Sequence, residues 1–546
     1  MMVLLAVGMM ACTEQNTPSD PTGSTTDTTT VSPGDTTMVS ADTIKITWNG
    51  TAATIEGSHS GVSVSETNGY VTVNSTVKDM TYLLRGNGQG QLTIYGTNRH
   101  QLILSDLTLA CSDGPAINNQ CKKSCFVVLE GTNSLSDGAS YADSDEDRKA
   151  AFFSEGQMIF SGGGSLSVTG AYKHALASDD YIQFAQSTGT LTLTAANDGL
   201  HANDGIYIDG GTFSIKAESD GIQCDSLIII NDGTITISAG GDGIQSDTAS
   251  VTVNGGAITI TKAGDKGITA FGDIIITDGT LRITSEYKCL KAGKKENNTI
   301  TSAGKIDISG GDIQCICTGT SSGGWGNTDT SSPEAIEAKG TLTISGGYVY
   351  AQASDDAINC ASDLTISGGY VCAYSTGNDG IDANGNLYVQ GGFVYAIGSR
   401  SPEVALDANT EGGKKLYIQG GTIVAVGDLE SGASITGGTC KYTSSWNGES
   451  WYALYNGSEI VAAFKTPTKS SSSNWAPPGG GGGGPGGGGG SSNLKLVVYT
   501  SSTPALQSGV SVSGGSAILN GMVNPTGSIS GGSSVSLSNY SSGSGW

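Results

Sequence analysis

Between Leu191 and Gly427 apolar and polar residues alternate in short runs, such as TLTLTA, TFSIKA, TITISA and AITITK, set off by Gly, Asn and Asp. Alternation with period two marks strands with one buried face, and no helical stripe interrupts it. The runs recur in register. Units opening DGLHAN, DGIQCD and DGIQSD start at Asp198, Asp220 and Asp242, a step of 22 residues. Degenerate copies continue the register through Ile268, Leu290, Ile336, Ile358, Ile381 and Leu406, in steps of about 22–24 with one double-length unit near residues 290–334. A 22-residue unit of short strands and sharp turns cannot bury its apolar face alone and must stack on its neighbours. The pattern predicts an all-β fold, a parallel β-helix solenoid with coils about 4.8 Å apart. Ile222, Ile244 and their successors fill one inward column, so function belongs to the outward columns beside it.

The pattern weakens at both ends of the chain and divides it. Residues 1–12 read as a lipoprotein-type signal ending at Cys12, the expected site of lipidation, and residues 13–41 as a disordered Ser/Thr/Pro tether. Residues 42–466 form the predicted β-helix with atypical end coils, and 467–493 a Gly/Pro/Ser-rich spacer. Residues 494–546 alternate again, with too few large apolar side chains for an independent core, and are expected to pack back on the stack. These features place the protein at a bacterial outer surface or outside the cell, touching membrane only through its lipid anchor.

Composition narrows the partners. A net charge of −24 excludes a phosphate backbone as a partner, since no cluster of Lys and Arg is available to neutralise it. The same charge opposes an acidic polysaccharide unless metal ions intervene. Apolar residues make up only 37% of the chain while glycines number 84, a balance that suits a narrow solenoid core with a turn at every corner. Of the cysteines beyond Cys12, Cys224 and Cys360 share an inward column with Ser and Ala and read as small apolar residues.

Stacked acids are the first candidate chemistry. Asp198, Asn203, Asp204, Asp220, Asp225, Asp242 and Asp247 recur from coil to coil, with Asp356, Asp379 and Asp382 in a later group. Adjacent carboxylates demand a proton or a cation, and hard oxygen donors in this number select Ca²⁺. The competing expectation is a turn ladder in which these side chains accept backbone N–H groups. Aromatics come second. Tyr348, Tyr350, Tyr370, Tyr374, Phe393 and Tyr395 alternate with inward valines and predict a sugar-stacking strip about three coils high, unless residues 440–466 or the tail cover it. Trp325, in a glycine-rich insertion, is a further sugar-stacking candidate. Third, Lys266, Lys288 and Lys291 follow the acidic coils and would supply the base of a calcium-dependent uronate lyase; the plain alternative is a set of surface lysines.

The DG-I-x-A/C repeat, the GGT-x-x-I-x-A strands, the opening IKITWNGTAATIEG and the closing STPALQSGVSVSGGSAI together resemble a bacterial family of secreted carbohydrate-binding domain-containing proteins. The resemblance implies a right-handed, pectate-lyase-like parallel β-helix with Ca²⁺ between coils, binding cellulose-like or polygalacturonate-like polymers. It places the family's DG aspartates at Asp198, Asp220, Asp242 and Asp379, while Lys266, Lys288 and Glu334 depart from the pattern. The resulting expectation is non-catalytic, calcium-aided binding of an acidic or neutral polysaccharide at the cell surface. The alternatives are a calcium-dependent lyase acting on polygalacturonate-like substrates and an adhesin with a protein partner.

Overall fold

The computed structural model describes residue 38 and residues 42–320, 332–399, 403–469 and 494–541; Cys12, Trp325, the rest of the tether and most of the glycine spacer lie outside them. These residues form a β-solenoid. Each regular coil carries three strands, as in Ile222–Cys224, Leu227–Ile230 and Thr234–Ala239. One face is a sheet of 15 strands running from Val62–Thr67 to Leu406–Ala408. Its first pair is antiparallel and the remaining strands stack in parallel, as Ile222–Cys224 does on Ile244–Ser246. The other two faces belong to a 32-stranded sheet.

The inward column is as the periodicity predicts. Ile222, Ile244, Ile268, Leu290, Ile336, Ile358, Ile381 and Leu406 are paired rung to rung and buried. Two residues on, Cys224, Ser246, Ala270, Ala292, Ala338, Cys360, Ala383 and Ala408 form a second buried column of small side chains. The glycine of the DG pair is a packing requirement. A Cβ on Gly221 would lie 2.4 Å from Ile237 Cγ2 and 2.6 Å from the Gly243 carbonyl oxygen, and Gly199 and Gly267 meet the same obstruction. The second glycine of the GG pair instead turns the chain in the left-handed region, with φ of 78°, 77° and 75° at Gly347, Gly369 and Gly392. The long unit after Leu290 is one coil, because Leu290 pairs directly with Ile336, and its first insertion holds the antiparallel pair Lys294–Glu296 and Thr299–Ser302.

Both ends of the stack are closed. At the amino end Thr43–Gly50 pairs with Ala52–Glu56 and Met80–Gln89, and the indole N–H of buried Trp48 donates to the Gly69 carbonyl at 2.9 Å. At the carboxyl end Leu496–Thr500 joins Thr422–Val426 and Thr439–Thr443 in antiparallel pairing. A five-stranded antiparallel sheet, built from Trp451–Asn456, Glu459–Lys465, Pro504–Ser513, Val523–Asn524 and Ser528–Val535, belongs to the same end. Its Tyr452, Leu454, Phe464 and Leu506 share one apolar cluster with Tyr350, Cys372, Phe393 and Tyr395 of the coils.

Candidate functional site

The 15-stranded face carries two polar columns. One lies two residues before each inward Leu or Ile and reads His174, Asp198, Asp220, Asp242, Lys266, Lys288, Glu334, Asp356, Asp379. The other lies one residue after and reads His201, Gln223, Gln245, Thr269, Lys291, Glu337, Asn359, Asp382, Asp407. In the first column the aspartates form a ladder. Asp198 accepts the backbone N–H of Asp220 at 3.1 Å, Asp220 that of Asp242 at 2.7 Å and Asp242 that of Lys266 at 2.8 Å. The ladder resumes at Asp356, which accepts from Asp379 at 3.1 Å, and at Asp379, which accepts from Val404 at 2.5 Å. One oxygen of each carboxylate thus joins successive coils, leaving the other to find its own compensation.

In the middle coils that compensation is cationic. Lys288 is 1% exposed, and its Nζ lies 2.7 Å from Glu334, 3.4 Å from Glu337 and 2.7 Å from the Ser332 carbonyl. Lys291 and Lys339 also face Glu337. Burial raises and the lysines lower the Glu337 carboxyl, for a net fall to about 2, whereas burial and the neighbouring Glu337 push Glu334 up to about 8. This corrects both sequence readings of these lysines. Lys288 and Lys291 are buried ion-pair partners, neither surface charges nor bases that a polymer can reach, and Lys266 is held 2.6 Å from Asp265.

The outer aspartates of the early coils are served by glutamines. Gln223 donates to Asp225 at 3.1 Å and to Asp247 at 2.8 Å, and Gln245 also donates to Asp247. Asp225, Asp247 and Asp204 are exposed and Asn203 is partly so.

The later coils differ. Asp356, Asp379, Asp382 and Asp407 crowd one another, with Asp355, Glu403 and Glu430 nearby. Burial and then Asp382 hold the Asp356 carboxyl far above its ordinary range. Asp379 rises to about 8 through burial, with Glu403 and Asp382 adding to it, and Asp382 rises to about 6, chiefly through burial. Asn359 bridges the group, donating to Asp356 and Asp382 at 3.0 Å each. Like charges buried this closely favour a proton or a cation such as Ca²⁺ at Asp356, Asp379 and Asp382, although among the described residues only His174, Asp198 and His201 bring three His, Cys or carboxylate donor atoms within 4.8 Å of one another.

The aromatic strip is only partly open. Tyr348, Tyr370 and Phe393 stack at 5.5 and 5.7 Å between centroids. Tyr348 is 41% exposed and Tyr370 half-buried, but Phe393 lies under the carboxyl-terminal sheet. Tyr350 and Tyr395 are buried in the same cluster, the Tyr395 hydroxyl donating to the Lys465 carbonyl at 2.9 Å, and Tyr374 packs at its edge. Their outward direction follows from strand alternation; their accessibility depended on a segment far away in sequence. Phe393, Tyr350 and Tyr395 are therefore withdrawn as sugar-stacking residues, because their faces are occupied by the protein itself.

Three of the four large exposed rings among the described residues, Tyr70, Tyr95 and Tyr172, lie instead near the amino end. Ser63, Asn74 and Tyr95 stand in one row across three strands. With Thr76, Thr97 and Gln120 they line an open cleft of about 610 Å³. The Tyr95 hydroxyl donates to Glu146 of the acidic loop at residues 139–150, and Tyr70 donates to Asp113 at 2.5 Å, so both rings are held in place. The runs YVTVNS and QLTIYG show these strands in the sequence, but the row depends on which strands pair, and the hold on Tyr95 on a loop far along the chain.

Fold and columns define a β-solenoid with one face of stacked polar ladders. Residues 67–295 and 265–380 match the model of the family described as carbohydrate-binding domain-containing protein, and the chain belongs to that family. No curated protein sequence matches it. Among solved structures, the polysaccharide lyase-like protein from C. thermocellum, as a gadolinium derivative, is 18% identical, with a TM-score of 0.33 over 51% of this chain and 92% of that one.

Proposed function

We propose that this protein binds polysaccharide without cleaving it, displayed at a bacterial surface from a lipid on Cys12 and aided by Ca²⁺ in the later coils. Family membership supports the ligand class. The observation that carries the reading is the open cleft beside Tyr95, a ring 39% exposed and fixed through its hydroxyl. A fixed aromatic face next to amides and hydroxyls suits the C–H face of a sugar ring and its hydroxyl rim, and a cleft of about 610 Å³ falls within the usual range of ligand sites. The exposed Tyr348 and half-buried Tyr370 offer a second contact further along a long chain. Burial of Lys288 and Lys291 keeps these two lysines from a polymer and supports the non-catalytic reading.

The test is affinity electrophoresis and calorimetry on polygalacturonate, xylan and a soluble cellulose derivative, with and without Ca²⁺. Wild type is expected to bind at least one of them, and Tyr95→Ala to weaken that binding ~10-fold with the fold intact. Equal affinity in the variant would overturn the assignment of the cleft. Release of unsaturated uronate, followed in the ultraviolet, would overturn the non-catalytic reading.

A further inference from the structure

The chain has four histidines, and two of them meet at one carboxylate. The aspartate column ends in His174, the glutamine column ends one coil later in His201, and both rings turn to Asp198. Nδ1 of His174 lies 3.1 Å and Nδ1 of His201 3.5 Å from the same oxygen, Asp198 Oδ2. A donor atom from each of the three residues falls within 4.8 Å of the others. Both are ion-pair approaches to one carboxylate oxygen. Both ring nitrogens of His174 and Nδ1 of His201 are buried without a hydrogen-bond partner, and His174 is 1% exposed. One rung further, buried Gln223 Oε1 also lacks a partner. Orphaned polar atoms are rare in protein interiors, and His174 Nε2, without a partner beside two Nδ1 atoms that meet only Asp198, calls for a ligand.

We propose that His174, His201 and Asp198 form a binding site for a divalent transition-metal ion of the Zn²⁺ class, distinct from any oxygen-only Ca²⁺ site in the later coils. Metal–ligand bonds of about 2.0–2.1 Å in a tetrahedron place neighbouring donors about 3.3 Å apart, between the two observed separations. Two imidazoles and one carboxylate leave coordination positions for water or an incoming ligand, and this donor set selects Zn²⁺, Co²⁺ or Fe²⁺ over Ca²⁺. The second oxygen of Asp198 accepts the Asp220 N–H and orients the carboxylate, as outer partners of metal ligands do. Burial keeps His174 below the usual imidazole range, in the neutral form that ligates. The rings are stacked at 4.3 Å with 22° between planes, so binding requires each to rotate about its soft terminal torsion until the lone pairs converge.

The experiment uses the full chain, stripped with chelator and titrated with Co²⁺ alone, then Zn²⁺, in the presence of excess Ca²⁺. The expected result is the visible absorption of low-symmetry Co²⁺, saturating near one ion per chain, bleached by Zn²⁺ and indifferent to Ca²⁺. Asp198→Asn keeps an acceptor for the Asp220 N–H, and His201→Asn alters the more exposed ring. Both should retain the wild-type circular dichroism and weaken Zn²⁺ binding at least ~10-fold, while Asp225→Asn leaves it unchanged. Failure of the wild type to take up Co²⁺ or Zn²⁺, or unchanged affinity in both folded variants, would overturn the site.

Discussion

The same column of the stack is neutralised in two ways. At Lys288 and Glu334 the buried charges are paired within 2.7 Å and share their network with Glu337, Lys291 and Lys339. At Asp356 and Asp379, only one and two rungs on, the column holds carboxylates whose dominant neighbours are other carboxylates. Backbone geometry is alike in both regions, since the strands remain in register. The difference lies in compensation. The middle coils carry their counter-charge in the sequence, and the later coils must obtain it from protons or from solution.

Removing a partner should therefore have opposite effects in the two regions. The largest expected effect is at Lys288→Ala, which leaves Glu334 and Glu337 buried without their main cation and should cost about 3–5 kcal/mol, read as a lowered denaturation midpoint. A loss below ~1 kcal/mol would show that the ladder is not held by that pair.

Second is the pH dependence of the later coils. The folded values of Asp379 and Asp382, about 8 and 6, stand above the ordinary carboxylate value near 4. Raised folded values stabilise the protein fully below about pH 4, and the contribution is lost as pH rises through 6 to 8. Glu337, lowered to about 2, acts in the opposite sense, contributing above about pH 4 and failing as pH falls through 2. Chelated protein should melt higher at pH 5 than at pH 8, and Ca²⁺ should raise the pH 8 value. The double variant Asp379→Asn, Asp382→Asn should reduce the pH response, since Glu334, Asp220 and Asp242 are also raised, and should abolish the Ca²⁺ response; a Ca²⁺ response that survives it places the ion elsewhere.

Smaller effects separate the two open aromatic sites. If the cleft is the main contact, Tyr348→Ala should weaken polysaccharide binding only ~2–3-fold, well short of the loss at Tyr95, and the reverse order in calorimetry would move the main contact to the strip. Smallest is Gln223→Ala, which removes donors to exposed Asp225 and Asp247 and should change stability by ~1 kcal/mol or less in urea titration.

Much of the architecture was legible because a solenoid repeats one local rule. Ile222, Ile244 and Ile268 predicted an inward column from spacing alone, and the cysteine and alanine column followed. The alternative of an aspartate turn ladder was legible too, and Asp220 and Asp242 form it. Covering of the aromatics was foreseen as an alternative, but which rings it reaches was not legible. Tyr395 lies 70 residues from Lys465, whose carbonyl accepts its hydroxyl, and local alternation carries no information about that return. The lysines misled for a related reason: Lys288 meets Glu334 46 residues away across the long coil, so a charge that looks solvated in sequence is buried in the stack.

The sequence by itself determined the strand period, the coil length, the inward columns and the glycines each corner requires, since these depend on residues within one coil and its neighbours. Only the tertiary structure decided which outward residues meet solvent, which acids have a cation beside them, and that two histidines share Asp198. Those outcomes rest on contacts between distant segments, where burial and charge compensation are properties of the assembled stack.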